Sequence, residues 1–216
     1  MSPTLHTGDA CKPFDASRGT PSATLVTIAG SAGAFYPLFE VLSSLPATLE
    51  SAVAVMLHTG PRSTLANALA LRSRLIVQEA TPGDVLRDGW VYVPPQGTHL
   101  IINPEGTTSV SRAAPVRRFR PSADWLFESA AASFRQRHIA VVLSGMLSDG
   151  ARRIRAVKRA GGYVIAQSPL DAEYPDMPNA AIMTGCVDQV VARDCLVDVI
   201  CDAVRRSNAL CDDRAW

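Results

Sequence analysis

Seven short runs between residues 25 and 191 are apolar almost throughout, not at every second position. They are Leu25–Ala29, Val53–Leu57, Leu75–Gln78, Val91–Val93, Ile139–Leu143, Tyr163–Gln167 and Val187–Val191. A strand with one wet face alternates apolar and polar residues, whereas a parallel strand covered on both faces does not. Amphipathic stretches separate the runs and read as helices: Ala34–Leu45, Ser63–Arg72, Ala123–Gln136, Ala151–Arg159 and Arg193–Arg206. His99–Asn103 and Thr107–Arg112, joined around Pro104-Glu105-Gly106, read as a hairpin. The order predicts an α/β fold, a doubly wound and mostly parallel sheet with helices on both faces and one antiparallel hairpin. Ser122 sits where an N-cap belongs, with Asp124 in the first turn that follows. Gly161-Gly162 marks a helix stop.

At 216 residues the chain falls in the one-domain range. Residues 1–22 are rich in Ser, Thr, Pro and Gly and read as a mobile tail, leaving 23–216 as the folded unit. Lys and Arg total 21 against 20 Asp and Glu, so charge gives no support for nucleic acid or an anionic membrane as the main partner. No apolar run approaches the roughly 18 residues of a membrane span, and the N-terminus lacks a secretory signal's apolar region. A cytoplasmic protein without membrane insertion is expected. Cys11, Cys186, Cys195, Cys201 and Cys211 form no C-x-x-C pair, so reduced thiols and no metal site are expected.

In an open α/β sheet, ligands bind beyond the carboxyl ends of the strands. Gly30-Ser31-Ala32-Gly33 follows the first strand, His58 follows the second, and Ser144 to Gly150, which includes Asp149, follows Ile139–Leu143. Singly, each residue has a commoner use: Ser31 as an N-cap, His58 as a hydrogen-bonded surface group, Asp149 as a turn residue. Together on one sheet edge they supply a nucleophile, a base and a carboxylate to orient the imidazole. The glycines let the chain bend sharply and present the Ser31 hydroxyl at a helix N-terminus. A dinucleotide-binding loop is a weaker reading. Position 28 is Ile where that motif needs Gly, and His58 stands where a ribose-binding acid belongs. No cofactor is expected.

The segments GSAG, LHTGP, VYVPPQGTHL, FRPSADWLFESAA, VVLSGMLSDGA and GGYVIAQSPLDAEYPDMPNAAI stand in the order found in the chemotaxis methylesterase family (the CheB catalytic domain), which the chain resembles over about residues 24 to 206. The resemblance implies hydrolysis of glutamyl methyl esters on chemoreceptor signalling helices, with release of methanol and deamidation of certain glutamines. It assigns the catalytic triad to Ser31, His58 and Asp149, and an oxyanion-binding N–H to Met146, joined by the amide of Ala32 beside the nucleophile. It implies methylated chemoreceptor helices as partners.

Three departures stand out. The family usually has Ser-Thr-Gly-Gly where this chain has Ser31-Ala32-Gly33-Ala34. Thr59-Gly60 follows His58 in place of an apolar residue and Pro. Leu147-Ser148 replaces Gly-Asn. These motivate the alternative of a weakly active or inactive module that binds receptors or a signalling partner. In two-domain relatives a receiver domain covers the active-site face; 22 residues are too few for such a domain, so the site is expected to be open or gated by a separate regulatory partner. His99, Trp90, Trp125 and Tyr163 read as structural, and His138 enters a strand. Arg152, Arg153, Arg155, Lys158 and Arg159 read as a solvated helix face, with docking to acidic receptor helices as the sharper use.

Overall fold

The computed structural model describes residues 21–58, 65–116 and 120–212. Seven parallel strands form the main sheet: β1 (Leu25–Gly30), β2 (Ala52–Leu57), β3 (Ile76–Glu79), β4 (Trp90–Val93), β7 (His138–Val142), β8 (Tyr163–Gln167) and β9 (Gln189–Val191). Their order across the sheet is β3-β4-β2-β1-β7-β8-β9. β5 (His99–Ile102) and β6 (Thr108–Ser111) pair antiparallel as a separate hairpin. The chain is tied to the fold from Pro21, which bridges to Arg87, and the Ser22 N–H donates to the Leu86 carbonyl at 2.9 Å. Residues 1–20, most of the expected tail, lie outside the described residues.

The apolar pattern has a direct cause. Along β1, Val26 and Ile28 face one side, joined by Val53, Val55 and Leu57 of β2 and by Val141 of β7. Over them pack α1 (Phe35–Ser44), through Leu38, Val41 and Leu42, and α6 (Leu196–Asp212), through Leu196, Ile200 and Val204. Leu25 and Ala29, with Ala54, Met56 and Val142, face the other side. That side is closed by α3 (Ala123–Phe134), α4 (Ala151–Arg159) and the hairpin, through Leu126, Phe127, Ile154 and Leu100. Both faces of the central strands are thus dry, and each fully buried Leu or Val contributes about 1.5–3 kcal/mol. The edge strands β3 and β9 are only partly covered, and Ile76 is half exposed.

The structure adds two features to the sequence reading. A seven-residue helix, α5 (Asp176–Ile182), follows β8. Its Pro178 stands in the first turn, where Pro is tolerated because its missing N–H has no intrahelical partner. The long helix readings also split: single 3-10 turns form at Arg135–Arg137 and Arg193–Cys195. α2 (Leu65–Ala70) occupies part of the expected Ser63–Arg72, whose first two residues lie outside the described ones.

His138 is fully buried in β7, with Nε2 2.7 Å from Thr27 Oγ1 of β1. Burial pushes its pKa down from 6.5 to about 3. The unfolded chain therefore binds a proton that the folded chain refuses, and stability falls as pH drops from about 6.5 towards 3. Replacing His138 by Gln removes the titration but keeps a hydrogen-bonding side chain. Between pH 6 and 4.5 the wild type should lose about 1–2 kcal/mol more unfolding free energy than His138→Gln, as read by urea denaturation at each pH. Equal losses would contradict a neutral buried imidazole.

Candidate active site

From β1 the chain proceeds to β2, β3 and β4 on one side, and later to β7, β8 and β9 on the other. The carboxyl ends of β1 and β7 therefore mark the topological switch point, where open α/β sheets bind ligands. Sheet register delivers the three sequence-selected residues to this edge. The Ser31 N–H donates to the Ser144 carbonyl at 3.0 Å, two residues beyond the last β1–β7 pair, Ala29 and Val142, and the His58 N–H donates to the Gly30 carbonyl at 3.3 Å. Asp149 closes the loop between β7 and α4, before Gly150 at φ +85°.

The turn carrying Ser31 is held by exclusion as well as by bonds. Gly33 adopts φ +72°, and a Cβ there would lie 2.7 Å from Ser144 Oγ and 2.8 Å from Glu173 Cβ. A side chain at Gly33 is therefore disfavoured by both conformation and space. Ser144 Oγ donates to the Ala32 carbonyl at 2.9 Å and accepts the Tyr174 N–H at 3.0 Å. Its own N–H donates to Gln167 Oε1 at 2.9 Å. The buried Ser144 thus ties the Ser31 turn to the segment that follows β8.

Ser31, His58 and Asp149 meet as one hydrogen-bonded row. Ser31 Oγ lies 3.1 Å from His58 Nδ1, and His58 Nε2 lies 3.0 Å from Asp149 Oδ2. An ionised carboxylate only accepts, so Nε2 carries the proton of the neutral ring and Nδ1 is left to accept from the Ser31 hydroxyl. The ring thus presents Nδ1 to serine and Nε2 to aspartate, the reverse of the serine-protease template. The His58 side chain is 13% exposed and that of Asp149 only 1%.

The surroundings of Asp149 were only partly legible in the sequence. Ser122 stands at the N-cap of α3 with extended backbone, as expected, but its hydroxyl caps nothing. It donates instead to Asp149 Oδ1 at 3.0 Å, while the Ala123 N–H donates to Oδ2 at 2.7 Å. Asp149, 26 positions further along the chain than Ala123, therefore supplies the cap that Ser122 was expected to provide. Burial pushes the Asp149 carboxyl up, but the bonds from His58, Ala123 and Ser122 outweigh it and hold the group below the ordinary carboxylate range.

Ala32 follows Ser31 and Met146 follows Gly145, in the chain segments expected to bind an oxyanion. Gly145 packs so closely on the nucleophile that a Cβ there would lie 3.0 Å from Ser31 Cβ. Among the described residues, neither the Met146 nor the Ala32 N–H donates to a protein acceptor. Leu147 adopts φ +67°, a left-handed conformation costly for a branched side chain, and its N–H donates to Asp176 Oδ2 at 3.3 Å. Of the three sequence departures, Thr59-Gly60 lies outside the described residues. His99 is buried and stacked on Trp125 with ring centroids 4.9 Å apart, a packing role. Among the described residues, no group of three His, Cys, Asp or Glu is placed to hold a metal ion.

The fold and this edge define a class: a doubly wound α/β protein with Ser, His and Asp in hydrogen-bonded sequence at the switch point. The model of the CheB methylesterase family matches residues 26–200, and the chain belongs to that family. It is 41% identical over 172 residues to protein-glutamate methylesterase/protein-glutamine glutaminase 2 of Anaeromyxobacter dehalogenans, covering 79% of this chain and 50% of that protein. It is 35% identical to protein-glutamate methylesterase FrzG of Myxococcus xanthus, covering 79% and 52%. The chain thus spans about half the length of the curated relatives it matches. The crystal structure of the Thermotoga maritima CheB methylesterase catalytic domain superimposes with a TM-score of 0.80 at 28% identity, covering 84% of this chain and 98% of that one.

Ser122→Ala removes one donor to a buried carboxylate and should cost about 1.5–3 kcal/mol of stability at pH 7. Because the Asp149 pKa is depressed by folding, this contribution is present above the unfolded value near 3.9 and lost as pH falls through the folded value. Urea denaturation at pH 7 and pH 3 should show the gap between wild type and Ser122→Ala shrinking on acidification. A gap independent of pH would assign Ser122 to packing alone.

Proposed function

We propose that this protein hydrolyses glutamyl methyl esters on the cytoplasmic helices of chemoreceptors, releases methanol, and deamidates glutamines there by the same steps. The observation that carries the reading is the continuous row from Ser31 Oγ through His58 to Asp149, at 3.1 and 3.0 Å. The names of the relatives, protein-glutamate methylesterase and protein-glutamine glutaminase, point to the substrate.

In this reading Ser31 Oγ attacks the ester carbonyl while its proton passes to His58 Nδ1. The Met146 N–H, with that of Ala32, stabilises the tetrahedral oxyanion. Collapse of the intermediate breaks the C–O bond to the methoxy group, which leaves as methanol with the proton from Nδ1. Water then attacks the acyl-enzyme, again losing a proton to Nδ1, and Ser31 recovers its proton as the glutamate carboxylate departs. With a glutamine substrate the leaving group is ammonia. Asp149 keeps Nε2 protonated and stabilises the imidazolium formed in each half. The site works in the cytoplasm and is either open to the receptor or gated by a separate regulatory partner seated on the same sheet edge.

A second reading is a weakly active or inactive receptor-binding module. It draws on the strained Leu147 in the loop that carries Met146, and on Ala32 beside the nucleophile.

Methanol release from a methylated chemoreceptor cytoplasmic fragment separates the two. The wild type should turn over and Ser31→Ala should release no methanol above background. Asp149→Asn should retain the fold and lose about 10²–10⁴ in kcat, by analogy with the serine-protease template. A folded wild type that binds the fragment without releasing methanol would favour the second reading. An Asp149→Asn variant with wild-type turnover would remove Asp149 from the reaction.

A further inference from the structure

α4 carries five cations in nine residues, and its packing divides them into two sets. Arg153 pairs with Glu128 of α3 at 2.6 Å, and Lys158 pairs with Asp188 at 2.6 Å. These two flank the helix where it meets its neighbours. Arg152, Arg155 and Arg159 are exposed, and among the described residues none of them has a carboxylate partner. The Arg159 Nε reaches only the backbone carbonyl of Arg155, at 3.3 Å.

At about 100° per residue, positions 152, 155 and 159 fall within an arc of about 60°. They form one stripe along two turns, opposite the buried Ile154 and Val157. Helix stability does not account for it. Like charges at i,i+3 and i,i+4 repel, and Arg152 stands in the first turn, where the helix dipole disfavours cations. That turn contains no acidic residue. The fold thus tolerates a local electrostatic cost on a helix that starts two residues after Asp149.

We infer that Arg152, Arg155 and Arg159 form a docking stripe for a polypeptide face bearing clustered carboxylates, laid alongside the catalytic edge so that one of its side chains reaches Ser31. The inference rests on the ester-hydrolase reading and names a feature of its substrate: acidic groups on the helix surface next to the modified glutamate. Charge complementarity of this kind speeds association and fixes register, and it weakens with salt.

The test compares the wild type, the triple variant Arg152→Gln/Arg155→Gln/Arg159→Gln, and a control, Arg205→Gln/Arg206→Gln, that removes exposed cations from α6. Each is assayed for kcat and KM on a methylated chemoreceptor cytoplasmic fragment from 50 to 300 mM NaCl. The wild-type and control KM should rise several-fold over this range. The triple variant should show a KM about tenfold higher at 50 mM, little salt dependence, and kcat within twofold of wild type. A wild-type KM and salt slope in the triple variant would overturn the inference. So would arginine-dependent cosedimentation with phosphatidylglycerol vesicles without any change in KM, which would assign the stripe to a membrane surface. Fragment binding is read in parallel on a Ser31→Ala background. Salt-sensitive binding that depends on the three arginines, with no methanol released by wild type, would support the stripe and overturn the ester reading.

Discussion

A carboxylate with 1% of its side chain exposed must be compensated on every side, and the site depends on how this is done for Asp149. His58, Ser122 and the Ala123 N–H each donate to it. The compensation couples three parts of the fold: the loop after β7, the start of α3 and the residue after β2. An unpaired buried charge is strongly destabilising, so the same bonds that orient the imidazole also fix α3 against the sheet. Stability and alignment here rest on one set of contacts.

Register does the remaining positioning. Ser31 and His58 each lie one residue past the end of a central strand; the His58 N–H still bonds to β1, and the Ser31 N–H to Ser144 just beyond β7. Neither can shift without sliding a strand against a core that is dry on both faces. The turn itself is limited by Gly33 and by the Ser144 hydroxyl that grips the Ala32 carbonyl. This is how a shallow edge of a sheet holds side chains at hydrogen-bonding distance.

The sequence was informative where local pattern decides the outcome. Unbroken apolar runs such as Val53–Leu57 identify strands covered on both faces, and Ser31, His58 and Asp149, picked out after them, converge on one edge of the sheet. It was uninformative where a partner lies far along the chain. Ser122 has the residue type and position of an N-cap, and nothing nearby says that its hydroxyl bonds Asp149 instead. Ser144 stands in a recognisable motif, but its contact with Tyr174 spans 30 positions. The helix at Asp176–Ile182 is only seven residues long, too short to show a helical apolar period. The order of the imidazole nitrogens was likewise a matter of three-dimensional placement.

The central claim is that His58 activates Ser31 as a nucleophile. Reaction with a fluorophosphonate, followed by peptide mass spectrometry, tests it most directly. The account predicts a single adduct, on Ser31, formed at least about 100-fold more slowly in His58→Ala, in keeping with the usual worth of a positioned base. A stable adduct on another serine, no adduct on folded protein, or an undiminished rate in His58→Ala would contradict it.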